Sequence, residues 1–513
     1  MPFPSVTIAD WRALVDKELA GKPFDKVLVH QALEGLPIAP LYTERPTPGP
    51  EGGRSDQGLP PPDAGGPPLA AADFQRRGRG GGAFRICMRH AVDVDVATLV
   101  ADIAQGADAF WIPGGKIPEG ARARAELKDT VFILDENVIS TLRYHEAGAD
   151  AADEIAIALS LGVRALESGT KPVAVQIAVG RDTFVELCKV RALRTCWQKL
   201  LAAAGGREMP PQVLVHAVCS SRTLTVRDPW VNMLRVTTQV FAAVLGGADL
   251  VTPAVFDAAF GAVSTALGHR VARNTGLVLR EESFLGKVAD AAGGSYYFET
   301  VTDTLAREAW SRFRELERDG GIVEVERSGR LAVQLEAKWK AQLKAIATRK
   351  VPILGVSEFA NLRERLPHPS PPPGGEGAGT SRDAAVFEEL RGRAEALSPP
   401  PEAVLVTLGT FAESRPRVGF AAGFFAAGGI ATRESAQDES AAIVCLCGTD
   451  DAYAAEAAAH AKKLKAAGCS RVLLAGRPGA LEASLRDAGV DGFIFVGCDA
   501  VAILSALLDG ASS

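Results

Sequence analysis

The 513 residues carry 62 acidic and 56 basic side chains, a formal net charge of −6 at pH 7. That length provides for about two to four domains, and the apolar (47%) and charged (23%) fractions are those of ordinary globular proteins. The acidic balance argues against a dedicated nucleic-acid-binding protein, which usually carries a basic excess.

The chain begins MPFPSVTIADW, without a basic stretch followed by a long apolar run, so no signal peptide is expected. No apolar run reaches the ~18–20 residues that span a bilayer. We therefore expect a soluble, cytoplasmic protein with neither a membrane nor a nucleic acid as partner.

Residues 7–19 predict an amphipathic helix that Thr7 or Asp10 caps. Its apolar stripe begins at Trp11 and Leu14 and ends at Leu19. So short a helix cannot bury this stripe by itself. We expect it to pack on the main body or on a partner chain.

Two tracts rich in Pro and Gly, 45–68 and 365–382, interrupt the globular pattern, and the run RRGRGGG occupies 76–82. Their composition cannot bury enough apolar area to offset the ordering entropy, which predicts flexible connectors. The predicted organisation is an arm (1–44), a linker (45–83), a middle domain (84–360), a second linker (361–400) and a C-terminal domain (401–513).

The middle domain alternates near-continuous apolar runs with helical patterns, which predicts a parallel sheet covered by helices, either a barrel or a doubly wound sheet. Fewer than eight strands are evident, so spacing alone does not settle closure. The candidate strands are 84–89, 108–113, 130–135, 172–179, 212–220 and 248–253, and the clearest helices are 150–169, 182–203, 302–321 and 331–347.

The C-terminal domain repeats strand then helix five times, which predicts a flavodoxin-like doubly wound α/β sheet. Its clearest helix is 451–468. The predicted strands are 403–408, 429–432, 442–447, 471–475 and 493–496.

Sites with strong spacing rules are absent from the sequence. The eight cysteines form no CxxC or Cys/His pattern, so no metal site is expected and buried reduced thiols are the favoured interpretation. The glycine-rich run precedes a strand rather than following one, and no phosphate-binding GxxxxGK[ST] occurs. In view of the acidic total, we interpret RRGRGGG as a solvated linker.

The segment RYHEAGADAADE groups His145, Glu146, Asp150, Asp153 and Glu154. An acid–base site is one interpretation, and a helix start with acidic residues favoured by the helix dipole is the preferred one. Another isolated histidine lies near the end of a predicted strand, where a structural hydrogen bond is commoner than catalysis, although that end of a parallel barrel faces the active site. That residue is His216.

A third polar segment crowds charges together: Arg273, Asn274, Arg280, Glu281 and Glu282. It could be a polar network that ties strands to helices, or an anion-binding site. The spacing alone does not choose between them.

Several long motifs make the chain resemble the methylmalonyl-CoA mutase family: DPWVNMLR, ARNTGLVLREES, AGGSYYFE, HEAGADAADEIAIAL, KVRALRTCWQKL and PILGVSEF, with WRALVDKELAGKPFDKVLV and APLYTERP in the arm. The resemblance implies an arm, a (β/α)₈ barrel that threads coenzyme A along its axis, and a flavodoxin-like cobalamin-binding domain. The reaction it implies is the adenosylcobalamin-dependent radical interconversion of methylmalonyl-CoA and succinyl-CoA.

The family's cobalamin motif, Lys-x-Gly-x-Asp-x-His-x-x-Gly, follows the first strand of the last domain, and its His ligates cobalt. The aligned residues here are Thr407, Gly409, Phe411, Glu413 and Pro416, so only the first glycine is kept. A carboxylate is a poor substitute for imidazole on a cobalt corrin. The alignment predicts that this chain binds no cofactor.

The barrel positions also depart from the catalytic pattern. Leu142 and Arg143 stand where catalytic chains carry Tyr-His, and His216-Ala217-Val218 replaces His-Ser-Gln. His216 is kept, with an expected structural role. The predicted site therefore contains no catalytic residue and no metal ligand.

The resemblance then points to the family's small (beta) subunit, a non-catalytic chain that pairs with a catalytic large subunit holding adenosylcobalamin. The arm is expected to wrap that partner, and a chaperone GTPase is an additional candidate partner. Two alternatives stay open: a stand-alone acyl-CoA mutase with an unusual ligand such as Glu413, and a binding module that docks coenzyme A or a partner without turnover.

Overall fold

The computed structural model describes residues 7–32, 36–43, 84–204, 213–260, 265–364, 382–435 and 441–511. Residues 45–83 and all but the last residue of the tract 365–382 lie outside the described residues, so the predictions made for them stay predictions. The chain forms two compact units. The first comprises Met1–Cys219, Thr237–Pro253 and Arg273–Leu335, and the second comprises Ser220–Val236, Ala254–Ala272 and Glu336–Ser513.

The arm begins with the predicted helix, α1 (Ile8–Leu19). Thr7 is its N-cap and forms a reciprocal capping box with Asp10, which satisfies two backbone N–H groups that the first turn leaves free. A short helix α2 (Phe24–Val27) and an antiparallel pair, β1 (His30–Gln31) with β2 (Pro37–Ile38), follow. The predicted arm helix and its cap are confirmed.

The first unit contains seven parallel strands in the spatial order β5-β4-β3-β9-β8-β7-β6. Six correspond to the predicted strands. The seventh, β6, follows β5 after only four residues and was not predicted from the sequence. The strands are β3 (Arg85–Arg89), β4 (Ala109–Trp111), β5 (Val131–Ile133), β6 (Val138–Ser140), β7 (Ala174–Val179), β8 (Leu214–Cys219) and β9 (Leu250–Thr252).

One apolar cluster shows that this sheet curls into a nearly closed barrel. It includes side chains from all seven strands, and β5 and β6, at opposite ends of the spatial order, contribute Ile133 and Val138 to it. Side chains from both ends of a sheet can share one core only if the sheet rolls up. The predicted TIM-type α/β barrel is confirmed, with seven strands among the described residues.

In chain order, α-helices follow five of these strands, namely β3, β6, β7, β8 and β9. The third of these helices, α5, has an N-capping box at Asp150 and ends at Gly169, whose left-handed φ of 69° closes the helix. The helices are α3 (Val96–Ala104), α4 (Leu142–Glu146), α5 (Ala151–Ser168), α6 (Thr183–Ala203), α7 (Val231–Leu245), α8 (Ala266–Leu277), α9 (Tyr296–Arg318), α10 (Gly321–Arg327) and α11 (Arg330–Ala347).

The second unit carries a five-stranded parallel sheet in the order β11-β10-β12-β13-β14. With strands numbered from the first of the domain this is 2-1-3-4-5, the flavodoxin-like order. All five predicted strands are confirmed. They are β10 (Glu402–Thr407), β11 (Ala431–Ser435), β12 (Ile443–Cys447), β13 (Arg471–Ala475) and β14 (Gly492–Ile494).

Helices cover both faces of this sheet, since two separate apolar clusters flank alternate residues of β10 and β12. A helix within 361–400, α12 (Ala385–Ala396), adds Phe387 and Leu390 to the first cluster. The other helices are α13 (Phe411–Ala427), α14 (Asp450–Ala452), a π-helical turn (Tyr453–Ala457), α15 (Ala458–Ala466), α16 (Glu482–Asp487) and α17 (Ala500–Ala511).

Across the described ranges, no helix is both long and apolar enough to cross a bilayer. The same residues contain no group of three or more His, Cys, Asp or Glu side chains that could hold a metal ion. All eight cysteines are buried and none of them forms a disulfide bond, as the sequence predicts.

Candidate functional site

A chain of hydrogen bonds crosses the barrel interior through His216. Ser140 Oγ donates to Gln176 Oε1 over 2.7 Å, and Gln176 Nε2 donates to His216 Nδ1 over 3.1 Å. His216 Nε2 then lies 2.7 Å from Thr252 Oγ1. Since an amide nitrogen can only donate, Nδ1 is the acceptor and the imidazole is neutral.

His216 is fully buried, and Trp111 packs edge-on against its ring with the centroids 6.0 Å apart. Burial lowers the pKa of His216 to about 3. Both ring nitrogens are committed to strand neighbours, so this histidine links β7, β8 and β9. The geometry fits the structural role expected from the sequence.

The two replaced positions before the EAGA segment lie in α4, directly after β6. The Arg143 side chain is exposed: its guanidinium lies 2.8 Å from Glu326 and donates to the Tyr144 hydroxyl. Leu142 begins the helix, and Val218 is buried two residues beyond His216 on β8. Of the predicted barrel positions, only His216 and Val218 share a strand.

The cluster His145, Glu146, Asp150, Asp153 and Glu154 divides into two structural groups. Asp150 and Asp153 form the capping box of α5, and Arg312 Nη1 lies 2.7 Å from each carboxylate. This is the helix-start interpretation that the sequence favours. Glu154 is turned into the protein.

Glu154 is the centre of a buried ionic network. Its carboxylate lies 3.0 Å from His145 Nδ1 and 2.9 Å from Lys189 Nζ, and Lys189 also pairs with Glu186 at 2.6 Å. Thr141 Oγ1 and the Ala178 amide donate to its other oxygen. Burial raises the pKa of Glu154, but the charges of Lys189 and His145 outweigh it and bring the value to about 2.

The charged segment 273–282, which begins within α8, forms a polar network. Arg273 donates to Asp102 over 2.6 Å, and Arg280 donates to Asp108 over 2.6 Å. Asp108 in turn accepts the Ile86 amide of β3. Asn274, Glu281 and Glu282 are exposed. Of the two interpretations left open by the sequence, the strand-to-helix network fits.

In the C-terminal domain, the loop after β10 is very short. Thr407 ends the strand, Gly409 turns with φ 76°, and α13 already begins at Phe411. Glu413 lies in the first helical turn, where Thr410 Oγ1 donates to its carboxylate over 2.5 Å.

Three of the replaced motif positions lie on this helix in exposed places: Phe411, Glu413 and Pro416. Phe411 keeps 67% of its surface exposed. Pro416 lies inside α13 and is exposed as well. The helix therefore runs through the positions that the family's motif assigns to its cobalt ligand and last glycine.

The crevice at the carboxyl ends of β10, β12 and β13 is the usual ligand position of such a sheet. Here Tyr453 donates to the Ala475 carbonyl over 2.6 Å and accepts the Gly448 amide over 2.9 Å. Arg417 reaches from α13 to the same carbonyl at 2.5 Å. These side chains occupy the space at the strand ends, and no sequence motif predicts them.

Comparison of the chain with known proteins identifies its family. Residues 133–373 match the family described as methylmalonyl-CoA mutase. A curated methylmalonyl-CoA mutase small subunit of Streptomyces virginiae is 39% identical over 440 residues, covering 77% of this chain and 70% of that protein. The chain belongs to the methylmalonyl-CoA mutase family.

Other members of the family are similar to this chain over matches of different length. The methylmalonyl-CoA mutase small subunit of Propionibacterium freudenreichii subsp. shermanii is 35% identical over 403 residues, and this match covers 62% of that protein's length. The methylmalonyl-CoA mutase of Escherichia coli is 30% identical over 236 residues, 44% of this chain.

The predicted fold class, a TIM-type barrel plus a flavodoxin-like sheet, is confirmed. The residues that sequence reasoning missed are those that fill the two candidate sites, Trp111 in the barrel and Arg417 with Tyr453 in the crevice. Arg417 lies four residues after Glu413, one helical turn along α13, which is a relation that becomes visible only once the helix is known to start at Phe411.

Proposed function

We propose that this chain is the non-catalytic small subunit of a heterodimeric methylmalonyl-CoA mutase. The large subunit then interconverts methylmalonyl-CoA and succinyl-CoA with adenosylcobalamin, and this chain supports it.

The packed barrel axis is the observation that carries the proposal. Five interior side chains on five strands are completely buried: Cys87, Ala109, Ile133, Ala174 and Leu250. A passage wide enough for coenzyme A would leave the side chains that line it accessible to water. The interior instead resembles the packed core of an ordinary TIM barrel, which supports a chain that takes no acyl-CoA along its axis.

The C-terminal loop does not fit a cobalamin. The segment from Gly409 to Pro416, which comprises the short turn and the start of α13, offers no imidazole, and the Glu413 carboxylate accepts a hydrogen bond from Thr410. Imidazole is a far better cobalt ligand than carboxylate. We derive no step of the reaction through cobalamin on this chain and assign the cofactor to the large subunit.

The arm supports the assignment of a protein partner. Ile8 and Leu14 of α1 keep 50% and 55% of their surfaces exposed. Near its carboxyl end, Tyr42 packs against Tyr297 of α9, with ring centroids 5.4 Å apart. The arm is thus anchored near its carboxyl end, and its helix α1 exposes apolar side chains. Such an arm is suited to cover a second chain.

Copurification with a large subunit tests the proposal. We expect the isolated chain to retain no adenosylcobalamin on gel filtration and to show no mutase activity, and the two chains to co-elute at 1:1 stoichiometry with activity. Separate elution of the two chains would contradict the proposal.

The alternatives have distinct outcomes in the same preparation. Stoichiometric corrin absorbance on the isolated chain, lost in a Glu413→Gln variant, would support a stand-alone mutase. Calorimetric binding of coenzyme A to the isolated chain would support a binding module. The proposed function predicts neither signal.

A further inference from the structure

We infer that Arg417 and Tyr453 form a plug that closes the ligand crevice of the C-terminal sheet, so that restoring the missing cobalt-ligand residues does not by itself restore a cobalamin site. The inference rests on the proposed function, and it goes further by assigning exclusion to named side chains that lie outside the cobalamin motif.

Tyr453 forms the floor of the plug. It is buried, and its hydroxyl contacts both neighbouring strand ends: it donates to the carbonyl of Ala475, the last residue of β13, and accepts the Gly448 amide directly after β12. Burial raises the pKa of this phenol well above its usual value, so the hydroxyl stays protonated and keeps donating. A buried side chain with both bonding functions used is costly to displace.

Arg417 forms the lid of the plug. Its guanidinium lies 5.6 Å from the Tyr453 ring centroid, donates to the Ala475 carbonyl over 2.5 Å and pairs with Asp450 at 2.9 Å. Asp450 is 79% exposed, so that ion pair is strongly screened. The backbone hydrogen bond and the contact with the aromatic ring therefore hold the lid in place.

Gly476 shows how closely the lid is packed. A Cβ atom built on this glycine would lie 1.8 Å from Arg417 Nη1, far inside contact distance. Any side chain at position 476 would have to displace the guanidinium. The space above the end of β13 is thus taken by Arg417 itself.

The two obstacles to a ligand are physically separate. Phe411 and Glu413 lack the chemistry to hold cobalt, whereas Arg417 and Tyr453 fill volume. Substituting the first pair leaves the second in place. Removing the Arg417 side chain opens the upper face of the crevice, while the Tyr453 hydroxyl still donates to the Ala475 carbonyl.

Cobalamin uptake by the full-length chain separates these obstacles. We compare four proteins: wild type, Phe411→Asp/Glu413→His, the triple variant that adds Arg417→Ala, and a matched triple variant that adds Arg415→Ala. Arg415 is also on α13 but pairs with Glu434 at the surface. Each is incubated with hydroxocobalamin and desalted, and retained corrin is read from its visible spectrum.

We expect retained corrin in the Arg417 triple variant to exceed that of the double variant by at least tenfold, and the Arg415 triple variant to match the double variant. Equal retention by the double and Arg417 triple variants, with or without binding, overturns the plug. Uptake by the wild type would instead contradict the proposed function, and the comparison of double and triple variants would still decide on the plug.

A double-mutant cycle tests the plug without cobalamin, in case the triple variant does not fold. We expect Gly476→Ala to lower the melting temperature by at least about 2–4 °C more in the wild-type background than in Arg417→Ala, because the added methyl group collides with the guanidinium. Equal losses in both backgrounds would show that Arg417 does not occupy the crevice in solution, and would overturn the inference.

Discussion

Gln176 and His216 join adjacent strands inside the barrel, with the amide Nε2 3.1 Å from the imidazole Nδ1. The pairing keeps the histidine neutral and directs its other nitrogen to Thr252. A histidine that the family resemblance singles out is thus part of the barrel's internal hydrogen bonding. Its protonation has a consequence for stability.

Because of His216, the free energy of unfolding should decrease as the pH is lowered below about 6.5. Burial lowers the pKa of His216 to about 3, so between these values the unfolded state binds a proton that the folded state does not. Unfolding is therefore favoured as pH decreases, by up to about 1.4 kcal/mol per pH unit. His216→Gln should flatten the dependence of urea unfolding on pH between 6.5 and 4.

His30→Gln at an exposed position of the arm serves as the matched control and should leave the slope as in the wild type. A slope that is the same in His216→Gln and in wild type would mean that His216 is not buried and neutral.

Glu154→Gln should be among the most destabilising single changes in the barrel. The substitution leaves Lys189, 1% exposed, with one carboxylate fewer in a buried site. Breaking a buried ion pair in this way typically costs about 3–5 kcal/mol. Since the pKa of Glu154 is lowered to about 2, its contribution is present above about pH 4.5 and disappears as pH falls toward 2.

The measurement is the urea midpoint of the variant at pH 7 and pH 3. Glu167→Gln, an exposed position on the same helix, is the control and should change neither. A Glu154→Gln midpoint within error of wild type at pH 7 would show that the network contributes little.

Much of the fold could be predicted because its signals are local. Near-continuous apolar runs marked six of the seven barrel strands, and the Thr7 capping box is a pattern of adjacent residues. The helix α12 was missed because it lies next to the Pro/Gly tract, whose composition dominated the interpretation of 361–400. Barrel closure depends on contacts between distant strands, which no spacing encodes.

The candidate sites show a different limit. Losses at motif positions such as Leu142 and Glu413 are visible in an alignment by eye. The side chains that fill the place of the ligand are not visible in an alignment, because Arg417 and Tyr453 come from separate helices and meet only where the strand ends converge. Lys189 likewise gives no sequence signal of its pairing with Glu154, 35 residues away.

Glu388→Ala should destabilise the second unit. The Glu388 carboxylate accepts the backbone amides of Val226 at 2.6 Å and Arg227 at 3.3 Å, and it pairs with Arg382. Without it these donors lose their acceptor in a buried site, which costs about 2–4 kcal/mol. Urea unfolding followed by circular dichroism measures the loss.

Glu389→Ala is the control for that change, since the neighbouring carboxylate is exposed on the same helix. Equal midpoints for the two variants would contradict the role assigned to Glu388.

The exposed apolar face of α1 yields the sharpest test of partnership. Ile8→Gln/Leu14→Gln should leave the melting temperature of the isolated chain within about 1 °C of wild type, because exposed substitutions rarely exceed about 0.5 kcal/mol. Lost apolar contact at a protein interface should weaken binding of the large subunit at least about tenfold, as measured by calorimetry. Lys17→Gln/Glu18→Gln changes two exposed polar positions of the same helix and should bind as wild type. If Ile8→Gln/Leu14→Gln binds as tightly as this control, the arm helix does not contact the partner through its apolar face, and the partner must be held elsewhere on the chain.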